Sequence, residues 1–228
     1  MSDAGTAETT TLIRATYERL RADVLAGRWE PGRKLLMHEL RQHYQVGASP
    51  LREALNRLAS EDWVVHHEQR GFSVAEASAE RLQDLVSTRI AVESLALEQA
   101  FARRSAAWEE ELVLAFHRLS RTPRSVRADR YEENPEWERL HHAFHRALLA
   151  GCGAPLLLGF CEQMYDQAYR YRQLAARKAY KRRDELGEHR AMLDAAIGGR
   201  LDEAKRLIAA HYQRTAGIYS DSDSGQTG

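Results

Sequence analysis

The apolar positions change period several times along the first third of the chain. Leu12, Ile13, Tyr17, Leu20, Val24 and Leu25 recur at helical spacing, which predicts a helix within residues 11–27 that stops at Gly27. Trp29 to Leu36 contains a Pro-Gly turn followed by a short extended piece, and Met37 to Tyr44 reads as a short helix. Val46 to Ser49 is then a tight turn. Ser49 is expected to cap the next helix, with Pro50 at its first position, where a missing N–H costs nothing. Leu51, Leu55 and Leu58 give that helix one apolar face. Trp63 to His66 and Phe72 to Ala75 read as strands joined by a turn at Gln69, Arg70 and Gly71. Residues 11–76 therefore predict helix, strand, helix, turn, helix, hairpin: a winged helix-turn-helix.

Beyond Ser78 no strand pattern appears, and the helical period persists to Tyr219. Breaks fall at Ser105, Thr122-Pro123, Asn134-Pro135, Gly151 to Gly153, around Lys181 and at Gly198-Gly199. Asn134, Pro135 and Glu136 read as an N-cap, a proline at the first helical position and an acid in the first turn. The expected fold class is mainly α: a winged helix-turn-helix domain over 11–76, then an antiparallel bundle of about six helices over 79–219. Residues 1–10 and 220–228 are expected to be disordered flanks.

A helix-turn-helix pair sets its second helix in the major groove, N-terminal residues first. That explains the front end of the helix after Val46. Small residues at Gly47 and Ala48 let the backbone approach a duplex. Ser49 and the helix N-terminus can meet a phosphate, and Arg52 can reach a guanine edge or a phosphate. Pro50, Arg33 and His38 belong to the same candidate surface, and Arg70 with Gly71 forms a wing tip suited to the minor groove. Lys and Arg outnumber acids by six to three between Arg28 and Arg57, whereas the chain carries 33 basic and 33 acidic residues. Any attraction to DNA is therefore local and strongly salt-dependent.

The 228 residues suit one large domain or two modest ones, and 43% apolar content is enough for a packed core. Cys152 and Cys161 form no CxxC pair, which reads as a reduced, cytoplasmic protein. No signal-peptide core is visible in Met1 to Thr11, and no apolar run is long enough to span a bilayer, so no membrane partner is expected.

His141 and His145 lie four apart in LHHAFH, on one helix face; His189 and His211 fall on two other predicted helices. Imidazoles meeting inside a bundle can hold a metal, although spacing alone does not bring distant residues together. Arg89 and Glu93, also four apart, form either a plain ion pair or a clamp for an acidic small molecule. Tyr169 to Arg183 holds seven cations and no acid, including Arg170. Such a run is expected to be mainly a solvated face, with contact to an anionic ligand as the other reading.

The stretch VGASPLREALNRLASEDWV with its RGFSVA wing resembles the DNA-binding domain of the GntR family of bacterial transcription regulators. LHHAFH, GEHRAML and AAHYQR resemble the FCD ligand-binding domain of the FadR subfamily. The resemblance spans roughly residues 11–218. It implies a homodimer on a pseudo-palindromic DNA operator, responsive to a small carboxylic acid bound over a divalent metal, zinc or nickel. It places metal ligands at His141, His145, His189 and His211 and an effector contact at Arg89, with Glu93 and Arg170 as further candidate effector residues.

Two departures from the family pattern stand out. Gly47-Ala48 replaces a Ser-Arg pair, so the arginine that commonly reads DNA is missing. Specificity is then expected to shift to Arg52, His38 and the wing. His141 stands where the family has Asp, which moves ligand preference toward zinc, nickel or copper and away from manganese. GASPLREAL, WERLHHAFH and the RYR at Arg170 to Arg172 further resemble the branch of carbon-starvation-induced regulators of glutarate and 4-aminobutyrate catabolism, which implies a dicarboxylate effector. The rival from another class is a helical-bundle metalloenzyme acting on a small acid. It would need a base beside the metal, for which Glu138, Glu162 and Glu188 are available without a motif-grade spacing.

Overall fold

The computed structural model describes residues 3–220, and the chain divides between Ser78 and Ala79 into two units. The first contains α1 (Asp3–Leu25), β1 (Lys34–Leu35), α2 (Met37–Tyr44), α3 (Ala48–Ser60), β2 (Val64–His67) and β3 (Gly71–Val74). Helix α1 begins at Asp3, so the expected disorder of residues 1–10 is corrected from Asp3 onward. Once nucleated by the core-facing turns, a helix extends at little further cost per residue. Tyr17, Leu20 and Val24 are buried as the period predicts, whereas Leu12 is 43% exposed.

The apolar face of α3 (Leu51, Ala54, Leu55, Leu58) packs against α1 and closes the core of this unit with Leu40 and Tyr44 from α2. Trp29 donates its indole N–H to the Tyr44 hydroxyl at 2.8 Å, and Tyr44 donates to Asp23 at 2.7 Å, tying the α1–β1 loop to both helices. The three strands form an antiparallel sheet in the order β1-β3-β2, with Val64 opposite Val74 and His67 opposite Gly71. Phe72 and Val74 face the core while the turn at Gln69 and Arg70 projects outward. Gly71 follows that turn at φ +86°, a backbone setting that favours glycine.

The second unit is the expected bundle: α4 (Ala79–Ala102), α5 (Ala106–Ser120), α6 (Pro135–Ala150), α7 (Pro155–Ala179), α8 (Glu185–Ile197) and α9 (Leu201–Ser220). The caps are local sequence chemistry. Ser105 accepts from the Trp108 N–H, Asn134 from the Glu136 N–H with Pro135 in the first turn, and Asp184 from the Gly187 N–H. Helix α4 packs on α7 and α9, α5 on α6 and α8, and α9 also on α7 and α8. Leu97, Leu112, Phe144, Leu148, Met192 and Ile208 form the dry core on which the polar centre rests. Of the expected C-terminal tail, Ser220 closes α9, and the remainder lies outside the described residues.

Candidate functional site

The bundle brings the four predicted histidines together. His141 and His145 project from one face of α6, His189 from α8 and His211 from α9, each no more than 3% exposed. One ligand atom from each lies within 4.8 Å of all the others. His145 Nε2 stands 3.2 Å from His141 Nε2 and 3.3 Å from His189 Nε2.

The outward nitrogens decide what the inward ones are. His189 Nδ1 lies 2.6 Å from the Glu185 carbonyl oxygen, which can only accept, so Nδ1 carries the proton. His211 Nδ1 lies 2.7 Å from Glu188 Oε2. Burial would raise the Glu188 carboxyl, but the His211 N–H and Arg183 outweigh it and hold the group well below the usual range, hence ionised. His145 Nδ1 faces the Tyr212 hydroxyl at 3.3 Å, which itself donates to Glu93, and His141 Nδ1 faces the Tyr165 hydroxyl at 2.7 Å.

Burial lowers all four imidazoles, with their mutual repulsion and nearby arginines adding to it at His141 and His145. The Glu188 carboxylate only partly offsets burial at His211, and His189 falls to about 4. The rings are neutral at pH 7. The inward nitrogens converge, and the outer partners place the proton on Nδ1 at His145, His189 and His211, which leaves their Nε2 lone pairs free in the form that binds a metal. The donor set fits a divalent ion of the zinc or nickel kind: four neutral imidazoles, no carboxylate in the inner set, and no backbone oxygen.

The three predicted effector residues have different surroundings. Arg89 on α4 is 3% exposed; its Nε donates to Glu93 at 2.5 Å and its Nη2 to the Tyr212 hydroxyl at 3.0 Å. Its guanidinium lies 3.9 Å from the Tyr212 ring centroid. Burial would weaken its charge, and Glu93 more than restores it. The pair is therefore a built-in clamp on Tyr212, which in turn braces His145. Arg170 is buried on α7 beside Tyr171 and Tyr219.

The cation run of residues 169–183 is only partly the solvated face expected. Arg170 and Arg172 are buried, and the Arg183 side chain is 8% exposed because it pairs with Glu188 and donates to the His211 carbonyl. Sequence reasoning passed over Tyr165 and Tyr212 as parts of the centre and named Glu188 only as a base for the rival enzyme. Two of them adjoin a ligand in sequence, Glu188 before His189 and Tyr212 after His211, which is the one signal that could have marked them.

In the first unit, Gly47, Ala48, Ser49 and Arg52 are exposed at the front of α3, as are Arg33, His38, Arg70 and Gly71, while Pro50 is half-buried. Ser49 is not the cap. Helix α3 starts at Ala48 with Gly47 in the extended cap position, and the Ser49 hydroxyl donates to Glu53 at 3.3 Å. Extended Gly47 lets the chain turn into the helix two residues earlier than expected, and Pro50 still falls in the first turn, where its missing N–H is harmless. Arg33 leans on Glu39 and over the Trp29 ring, whereas Arg52, His38 and the Arg70 side chain have no side-chain partner among the described residues.

Comparison with known proteins places both halves. The pattern of the bacterial regulatory proteins of the gntR family matches residues 12–74, and that of the FCD domain matches residues 84–214. The HTH-type transcriptional regulator BphR of Paraburkholderia xenovorans is 34% identical over 91% of this chain and 84% of its own length. The HTH-type transcriptional repressor GlaR of Escherichia coli is 32% identical over 86% of this chain and 90% of its own. Among solved structures, E. coli McbR/YncC superposes with a TM-score of 0.70 at 19% identity, covering 93% of this chain and 98% of that one, a likeness of fold. The relatives are transcriptional regulators, which sets aside the metalloenzyme alternative. The chain belongs to the GntR family of bacterial transcriptional regulators, with an N-terminal helix-turn-helix domain and a C-terminal FCD domain.

Proposed function

We propose that the chain is a cytoplasmic, homodimeric regulator that binds a pseudo-palindromic DNA operator and is tuned by a small carboxylic acid at a metal-loaded FCD bundle. One observation carries the reading: four neutral histidines converge inside the domain that accompanies the helix-turn-helix. Among the described residues no helix is long and apolar enough to cross a membrane. His141, His145, His189 and His211 would hold zinc or nickel, which supplies a Lewis-acidic positive charge that attracts a carboxylate. The chain's own residues orient the site: Glu188, Tyr212 and the Glu185 carbonyl fix the tautomers of His211, His145 and His189, Tyr165 holds the His141 ring in place, and Arg183 keeps Glu188 ionised. Dicarboxylates are the first class of effector to test, with Arg89, Glu93 and Arg170 as candidate contacts. An acid shifts the regulator only through different affinities for its two states.

At the DNA end, the front of α3 meets the major groove. The helix N-terminus and Ser49 lie on phosphate, Pro50 fixes the entry, and Arg52 makes the direct contact. His38 and Arg33 flank it, and Arg70 with Gly71 reaches the minor groove. Arg52→Ala is expected to weaken binding by roughly 1–3 kcal/mol, the range of one good base contact. Fluorescence anisotropy on an operator selected from a random duplex pool measures this directly. Affinity equal to that of the unaltered chain would remove Arg52 from the interface.

A further inference from the structure

Helix α3 has two faces. Leu51, Ala54, Leu55 and Leu58 point into the core, and Ser49, Arg52, Glu53, Asn56, Arg57 and Ser60 are exposed on the other side. Most of these polar side chains are already engaged within the fold. The Ser49 hydroxyl donates to Glu53 at 3.3 Å. Arg57 donates to Glu61 at 3.2 Å and lies 4.0 Å from the Tyr17 ring centroid, turned back toward α1. Ser60 donates to the Arg57 carbonyl at 2.8 Å. Arg52 and Asn56, one helical turn apart on the same face, are the two whose side chains have no partner among the described residues.

Asn56 adds nothing to the stability of α3. Inside a helix an asparagine side chain competes with the backbone for hydrogen bonds, and no bond to the rest of the fold offsets that cost here. The front of the helix shows what the residue can reach. Gly47 has no side chain and Ala48 only a methyl group, while Ser49 is short and tied to Glu53, so nothing long holds the helix off the floor of a groove. A helix that enters the major groove front end first can then settle until its second turn meets the base edges, within range of a side chain as short as asparagine. The amide carries one carbonyl acceptor beside one N–H donor. Adenine alone shows the matching pair in the major groove, an N6 donor beside an N7 acceptor. Guanine shows two acceptors, cytosine a donor, and thymine an acceptor with a methyl group.

We infer that Asn56 is a specificity-determining residue that reads an adenine in the major groove. Its amide spans N6 and N7, while Arg52 makes its own contact one turn nearer the helix front. Four residues advance an α-helix by about 6 Å, less than two base-pair steps of about 3.4 Å, so the adenine lies within about two base pairs of the group that Arg52 meets. This rests on reading α3 as the major-groove helix and adds the base that its second turn recognises.

The test is selection of binding sites from a random duplex pool by the full chain and by its Asn56→Ala variant. Fluorescence anisotropy on the selected site and its single-position variants follows, over a range of salt. The unaltered chain is expected to select an adenine, once in each half-site, that the Asn56→Ala chain no longer selects, with the other positions unchanged. On the selected site Asn56→Ala binds about tenfold more weakly, within the discrimination of one bidentate base contact, and becomes indifferent to that base pair. The dependence of affinity on salt stays the same, because a neutral amide displaces no counterion. The same selected site for both chains, or a loss equal on every sequence as a backbone contact gives, overturns the inference while the helix-turn-helix reading stands. A position-specific change at a base other than adenine overturns it too. An unaltered chain that selects no sequence overturns both.

Discussion

His145→Ala should remove stoichiometric metal from the protein and weaken its metal affinity by well over a hundredfold. His145 is the hub of the cluster, with Nε2 atoms of His141 and His189 at 3.2 and 3.3 Å. Three imidazoles from the remaining positions would hold an ion with an open coordination position and a weaker total bond. Changes one shell further out already cost about 10–100-fold in affinity, so loss of a ligand at the centre costs more. Glu188→Gln gives the graded comparison. Its amide oxygen can still accept from His211 Nδ1, but without charge it loses its hold on Arg183, and a fall within about 10–100-fold is expected. Elemental analysis and competition with a chromophoric chelator measure both. Full metal occupancy in the His145→Ala chain would take the cluster out of the metal account.

Acid should unfold the metal-free bundle well before it unfolds an ordinary helical domain. Four imidazoles are buried and held neutral, and His189 titrates only near pH 4. In the unfolded chain each takes up its proton near pH 6.5. Between about pH 6.5 and 4 the unfolded state therefore binds more protons, so stability falls as pH falls. The slope is about 1.4 kcal/mol per pH unit for each histidine that stays neutral, and over that window His189 alone accounts for roughly 3 kcal/mol. Glu188 acts in the same direction lower down. Its folded value is depressed by His211 and Arg183, so the stability it contributes above its ordinary value is lost as pH drops through the carboxylate range. Urea denaturation of chelated protein at pH 7.5 and 5.5 should show a lower midpoint in acid. An unchanged midpoint would mean that the histidines are not held neutral in the fold.

The elements whose signals are local were legible in the sequence. Asn134-Pro135, Ser105 and the Gly198-Gly199 pair announce helix ends through backbone chemistry that needs no tertiary contact, and all three sit at the ends they announce. The four histidines were nameable because an i, i+4 pair and two short segments fit a resemblance. That they converge depends on packing among α6, α8 and α9, which spacing does not encode. The front of α3 was misread by two residues, because an extended glycine can cap as well as a serine and periodicity is blind to the difference.

Arginine was the hardest residue to read. Arg89, Arg170 and Arg172 look alike in sequence, and what separates them is the set of partners the fold places around each. Arg89 has Glu93 one turn away, a pairing visible in advance, whereas the contacts of Arg172 with Tyr165 and Glu138 appear only once the helices are packed. The seven-cation run misled for the same reason: charge density suggests solvent, but Arg170, Arg172 and Arg183 turn inward.

The account as a whole turns on whether the bundle is a metal-dependent acid sensor. The most direct measurement is elemental analysis of untagged protein, followed by thermal unfolding against a panel of dicarboxylates, with and without chelator. The account predicts one zinc or nickel per chain and a rise in melting temperature with at least one acid that disappears on chelation, since a ligand that binds only the folded, metal-loaded state stabilises it by mass action. Protein that takes up no divalent metal, or whose acid-induced shift is unchanged by chelator, would contradict it.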